Sequence, residues 1–375
     1  MKVLILADEI FAMRERAMLS RLELGLADEG VRVIHGVPAE LLGVEAGSMF
    51  SRAVGYESSR IGPFRRMLAR RLAEEIQDPD ADEDDQPVSI VHVFGGSVWD
   101  LALDVAMELK SDVAIELWRP ALRERADQVL MTWKGSSVPV FTVPDPALEK
   151  QVRELSPKLT VRSTPWGVHT EDSNHTLLPK DRVPTAVIIG GGHDREACTA
   201  ALTGLAQAIP HHRDLMVFID SRVVRRGDLW PVCKRLGLLP SISLIEDIEA
   251  RRDLLTQADL LIVPEARGEN HSVVLEAMAA PMAVVALADP AVGSLVDGRS
   301  ARLVRRVDSG EWASVIREML SDAEGTNRLA QSAREFVRAE RGAFKHIKSV
   351  LETYQWMTSK ASIPIRAEGG TVGRS

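Results

Sequence analysis

Between Ala258 and Val285 the chain reads A-D-L-L-I-V-P-E-A-R-G-E-N-H-S-V-V-L-E-A-M-A-A-P-M-A-V-V. Leu260 to Val263 is a short apolar run suited to a buried parallel strand, and Pro264 stops it. Ser272 can cap a helix of strong formers from Val273 to Ala280, which Pro281 ends, and Ala283 to Leu287 reads as the next strand. A strand, loop and helix in this order bring free N–H groups to the strand's carboxyl end, where phosphates bind in open α/β sheets. The loop residues Asn270 and His271, the cap Ser272 and the first helical residue, Val273, are therefore candidate donors to a phosphate. Glu276 stands about one turn into the helix, where a carboxylate can accept from the hydroxyls of a ribose. A second arrangement of the same kind follows Thr185 to Ile189: Gly190, Gly191 and Gly192, then a helix from Asp194 to Ala208. Glycines at such a turn also serve backbone geometry alone, so this signal is weaker.

Two α/β units are needed to carry these loops, and the composition allows them. The 375 residues, 45% hydrophobic and 27% charged, suit a globular protein of two ordinary domains. A net charge of -8 argues against nucleic acid as the main partner. Cys198 and Cys233 are too few for a disulfide framework, and the opening M-K-V-L-I-L-A-D is a strand rather than a signal peptide. A cytoplasmic location is expected. His92, His169, His193 and His271 show no metal-ligand spacing, and no Ser-His-Asp set is recognisable; no metal or cofactor is expected.

The first half alternates strands and helices. Lys2 to Ala7 is the first strand, Met13 to Glu29 a helix with Leu19, Leu22 and Leu26 on one face, and Val31 to Ile34 the second strand. Ile61 to Ile76 is an amphipathic helix carrying Arg65, Arg66, Arg70 and Arg71, read as a solvated face in preference to a membrane-surface contact. Asp78 to Asp85 is an acidic surface loop without the glycine and glutamate of a calcium site. Ser89 to Phe94 and Val113 to Leu117 are further strands, the second ending in Trp118-Arg119-Pro120. Ser173 to Val183, polar and bracketed by prolines, is the expected linker.

The stretch from Ala258 to Val304, together with P-W-G-V at 165–168, resembles the retaining glycosyltransferases of family 4 (glycosyl transferases group 1). That family reads A-D-x-x-x-x-P-S, two residues, Glu-Gly, then L-L-E-A-M-A, and the spacing from Pro264 to Glu276 fits without insertion. The resemblance implies a GT-B fold: two Rossmann-like α/β domains facing across a cleft, here 1–172 and 184–340. A helix at 341–358 returns to the first domain, and 359–375 is a flexible tail. It implies transfer of a sugar from a nucleotide-sugar donor, with retention of configuration, to an acceptor that is a glycan, a lipid or a small molecule. Glu276, Gly190, Gly191, Gly192, Asn270, His271, Ser272 and Val273 then hold the donor. Gly268 occupies the position of the family's first glutamate, and Glu269, its neighbour, is the candidate catalytic carboxylate. The family's arginine and lysine beside the glycine loop fall on Gly191 and at or beside Glu196, which leaves Arg195 as the candidate catalytic cation. Trp118, at the family's histidine, and His92 are the candidates on the acceptor side. The alternatives are a GT-B protein that has lost transfer and serves as a nucleotide-sugar-binding or partner subunit, and a cleft that binds something else.

Overall fold

The computed structural model describes residues 1–42, 51–58, 61–77, 86–135, 137–170, 176–209 and 215–361. The acidic run at 78–85, part of the expected linker (173–175) and the tail from 362 lie outside these residues.

The first domain contains β1 (Lys2–Ala7), α1 (Glu9–Arg14), α2 (Arg16–Asp28), β2 (Arg32–Pro38), β3 (Ser51–Tyr56), α3 (Gly62–Ile76), β4 (Val88–Phe94), α4 (Trp99–Leu109), β5 (Asp112–Glu116), α5 (Arg123–Thr132), β6 (Val140–Val143), α6 (Pro146–Leu155) and β7 (Thr160–Ser163). Its strands pair in parallel in the order β3-β2-β1-β4-β5-β6-β7. Val3 through Ala7 are buried without interruption, because helices cover both faces of the sheet. On α3, Leu68, Leu72 and Ile76 face the core while Arg66, Arg70 and Arg71 lie exposed.

The helix expected from Met13 to Glu29 is two helices. Asp8 caps α1 by accepting from Phe11 N–H at 2.9 Å, and the chain breaks at Glu15 (φ -119°, ψ 30°) before α2 begins. The break falls on the residue that reaches into the other domain, as described below.

The second domain contains β8 (Thr185–Ile188), α7 (Arg195–Ala208), β9 (Met216–Asp220), α8 (Ser221–Arg226), α9 (Trp230–Arg235), β10 (Ile242–Ile245), β11 (Leu260–Val263), α10 (Ser272–Ala279), β12 (Ala283–Leu287), β13 (Arg302–Val304), α11 (Ser309–Ser321) and α12 (Ala323–Glu340). Its strands are also parallel, in the order β10-β9-β8-β11-β12-β13. Asp259, the aspartate of the A-D pair, is fully buried and accepts from Thr185 N–H at 2.8 Å, Leu178 N–H at 2.7 Å and Arg182 at 2.5 Å. It ties the entry of this domain to β11 and is a structural residue.

After α12 the chain returns to the first domain as α13 (Ala343–Ala361). Val168 N–H donates to Arg341 C=O at 2.8 Å, and Ala343 N–H donates to Val168 C=O at 3.0 Å. A side chain at Gly167 would meet Gly342 C=O at 2.3 Å, which is why the P-W-G-V turn needs glycine there. Arg341 donates to Asp145 at 2.6 Å and to Pro144 C=O at 2.8 Å, and the other Asp145 oxygen accepts from Gly293 N–H of the second domain at 3.0 Å. Both charges are buried, so removing one leaves the other without compensation. Arg341→Ala should therefore cost about 3–5 kcal/mol of stability in urea unfolding; a loss below about 1 kcal/mol, as for a surface pair, would contradict the role assigned to it.

Candidate functional site

The carboxyl ends of the two sheets meet at the cleft, where loops from both domains supply charge. On the second-domain side α10 begins with Ser272, fully buried, while His271 (φ -129°, ψ 125°) takes the N-cap position. Ser272 is thus the first helical residue and not the cap. Its N–H donates to Glu15 of the first domain at 3.0 Å. Burial alone would raise the Glu15 carboxyl; His271 and Arg14 outweigh it and hold the group near 2. An anion thus already stands at the helix N-terminus where a phosphate is expected, and that anion belongs to the chain itself.

The other site carboxylates are paired in the same way. Arg21 of α2 donates to Glu276 at 2.6 Å. Glu269 accepts from Arg14 at 3.3 Å and from Arg119 at 2.9 Å, and burial, which would raise its pKa, is outweighed by His271 and these arginines. The two guanidiniums lie against the Trp118 ring, Arg14 at 3.9 Å and Arg119 at 4.5 Å from its centroid. Asn270 N–H donates to Trp118 C=O at 3.2 Å, which fastens the loop before α10 to the loop after β5.

The glycine loop is also in use. Gly190 to Gly192 do turn the chain from β8 toward α7, and their N–H groups do converge. The acceptor is Glu265, directly after Pro264: one oxygen takes Gly191 and Gly192 N–H at 2.6 and 2.9 Å, the other takes His193 and Asp194 N–H, both at 2.7 Å. A carboxylate in such a nest does what a bound phosphate would do. Glu265, Glu269 and His271 line one cavity with a volume of about 20 Å³.

The expected placements of Arg195, His92 and Trp118 are corrected. Arg195 lies 3.8 Å from the Asp228 carboxylate and donates to Asp228 C=O at 3.4 Å, with its side chain mostly exposed. His92 does not face the cleft: it is buried, bonded to the Tyr354 hydroxyl at 2.7 Å and the Thr142 hydroxyl at 3.1 Å, and packed on Phe94. Its strand is covered on both faces, so alternation could not tell a cleft residue from a core one. Gly268 cannot be exchanged for the family's glutamate without strain, because its φ is +69° and a Cβ would meet Pro120 Cδ at 2.3 Å. Trp118 is likewise buried (4% exposed), stacked between arginines rather than open to a sugar ring. Residues brought to the site without being foreseen are Arg14, Glu15, Arg21, Arg119 and Glu265. The only local signal was the run Arg14-Glu15-Arg16, which falls at the break between α1 and α2, where charges interrupt an otherwise amphipathic helix.

Among the described residues no group of three His, Cys, Asp or Glu side chains is placed to hold a metal ion, and no helix is long and apolar enough to cross a membrane.

Two parallel sheets, a cleft between their carboxyl ends and a helix returning to the first domain decide the architecture. The fold is GT-B. Residues 184–322, most of the second GT-B domain, match the family model described as glycosyl transferases group 1. Solved structures with the same fold include a glycosyltransferase from Rickettsia africae (TM-score 0.70, 15% identity, covering 95% of this chain and 98% of that one). Another is a sucrose-phosphate synthase from Thermosynechococcus elongatus (TM-score 0.71, 15% identity, 96% and 100%). A third is Anabaena HepE in complex with UDP-glucose (TM-score 0.71, 14% identity, 95% and 100%). No curated protein matches the chain by sequence.

The positive φ at Gly268 is testable. Gly268→Ala forces a side chain into the left-handed region, at about 1–2 kcal/mol, and pushes the loop off Pro120. Chemical unfolding should show at least that loss, and unchanged stability would mean that the Gly268–Pro120 approach is not held in solution.

Proposed function

We propose that the protein transfers a sugar from a nucleotide-sugar donor to an acceptor hydroxyl with retention of configuration. The observation that carries this reading is the pairing of the buried N-terminus of α10 with Glu276 one turn later, on the cleft side of the group 1 domain. The helix N–H groups favour the donor's diphosphate, and the carboxylate accepts from the ribose. The UDP-glucose complex of HepE, a protein of the same fold, supports a nucleotide diphosphate sugar as the donor class.

In the transfer, the bond from the sugar's anomeric carbon to the diphosphate oxygen breaks and its electron pair stays on that oxygen. The acceptor hydroxyl oxygen bonds to the anomeric carbon from the same face, and its proton passes to the leaving diphosphate. Backbone N–H and guanidinium groups neutralise the leaving group, so the reaction needs no metal ion or cofactor. Glu269 turns from its arginines to the donor sugar when the cleft fills. Donor entry requires the domains to part, since Arg21 and Glu15 stand in the ribose and phosphate positions. The acceptor is a hydroxyl of a glycan, a lipid or a small molecule. The alternative of a binding or partner subunit without transfer has no observation of its own in its favour.

Calorimetry with a panel of nucleoside diphosphates tests the reading. A charged hydrogen bond contributes about 1.5–3 kcal/mol, so Glu276→Gln should weaken binding by roughly tenfold to a hundredfold. Equal affinity in both proteins would remove Glu276 from the donor site, and no binding to either would remove the donor class itself.

A further inference from the structure

The leaving diphosphate needs fixed positive charge, and the second domain is poorly supplied with it. Gly191 stands where the resembling family has arginine, Arg195 is turned toward Asp228, and the N–H groups of the glycine loop are spent on Glu265. On the opposite wall, two guanidiniums flank one indole and converge on one carboxylate: Arg14 and Arg119 around Trp118, both donating to Glu269. These contacts do not use up the donors gathered there. Arg14 Nη2, Arg119 Nε and Trp118 Nε1 are buried atoms without a hydrogen-bond partner. Arg14, Trp118 and Ser272 are 8%, 4% and 0% exposed. A buried donor left without an acceptor is costly, and native proteins keep few of them. Three in one cluster, beside a helix N-terminus, suit a ligand that brings several acceptor oxygens and negative charge.

We propose that Arg14 and Arg119, carried by the first domain, bind and neutralise the diphosphate of the donor, with Ser272 Oγ and Trp118 Nε1 completing its hydrogen bonds. This rests on the nucleotide-sugar reading of the cleft. Stacking on Trp118 presets the guanidinium planes, and a planar fork of donors suits phosphate oxygens better than an ammonium does. Glu269 and Glu15 hold the two cations in this structure, and the diphosphate exchanges with them. The placement has a consequence for the order of events. The ribose is held by the second domain, while the charge that stabilises the departing electron pair comes from the first. A donor bound to an open second domain therefore lacks its leaving-group partner, and cleavage waits for closure.

The test uses the full chain as wild type, Arg119→Ala and Arg14→Lys. Arg119, partly exposed, is the variant less disturbing to the fold, and Arg14→Lys keeps the buried charge while losing the fork. Calorimetry with UDP, GDP and ADP, their nucleosides, and inorganic pyrophosphate gives the binding readout. Arg119→Ala should weaken the diphosphates and pyrophosphate by tenfold or more and leave nucleoside binding unchanged. With a sugar nucleotide that the wild type turns over, kcat should fall by about a hundredfold with a smaller change in KM, and Arg14→Lys should fall in the same direction. Wild-type affinity for diphosphates together with wild-type kcat in Arg119→Ala would overturn the proposal. Pyrophosphate binding that depends on Arg119, without binding of any nucleotide, would uphold the anion site and overturn the donor reading. A wild type that binds neither would overturn both.

Discussion

Charges taken out of water must find partners, and the cleft of this protein is organised by that requirement. Arg14, Glu15, Arg21 and Arg119 project from the first domain, and Glu269, His271, Ser272 and Glu276 from the second. Each is paired across the gap, so that the ion pairs set the distance at which the domains rest. Their strength is conditional. Desolvation opposes every one of these contacts, and the pairs hold because the partners are close and mutually oriented. A ligand of the same charge pattern, negative at the helix N-terminus and rich in hydroxyls at Glu276, competes for the same groups.

Glu265 belongs to a different class of contact. Its carboxylate and the glycine loop it fills both lie in the second domain, so opening the cleft leaves that interaction intact. It fixes the turn between β8 and α7 and removes the nest from the set of phosphate sites. By contrast, Glu15 is withdrawn from α10 whenever the first domain moves away. The two cradles that look alike in sequence therefore have different physical standing: one is a permanent internal bond and the other can be vacated. The Arg341–Asp145 pair and the paired backbone of Val168 and Ala343 anchor the returning helix, and Pro144, Trp166 and Arg341 line the same cavity as Glu269.

Much of the architecture was legible in the sequence. Buried parallel strands appear as continuous apolar runs, and β1, β11 and β12 were placed within a residue of their observed bounds. The turn at 165–168 and the return of the last helix followed from the resemblance. The succession of strand, loop and helix from β11 to α10 was legible because it is contiguous in the chain. Arg14, Arg21 and Arg119 meet their partners only after folding, with Glu269 and Glu276 lying more than a hundred residues away in the chain. Glu265 was hidden for the same reason: its four partners are backbone groups more than seventy residues upstream, which no side-chain pattern encodes. His92 was assigned to the cleft because a parallel strand covered on both faces gives no alternation to separate its two sides.

The most direct measurement is the fate of a sugar nucleotide mixed with the purified protein. A panel of donors would be followed for release of nucleoside diphosphate, and the anomeric configuration of the sugar product would be read by nuclear magnetic resonance during the first turnovers. The account predicts that at least one donor is cleaved and that its sugar emerges in the donor's own configuration. Release with inverted configuration would contradict the same-face mechanism, and no release from any donor would contradict sugar transfer as the work of this cleft.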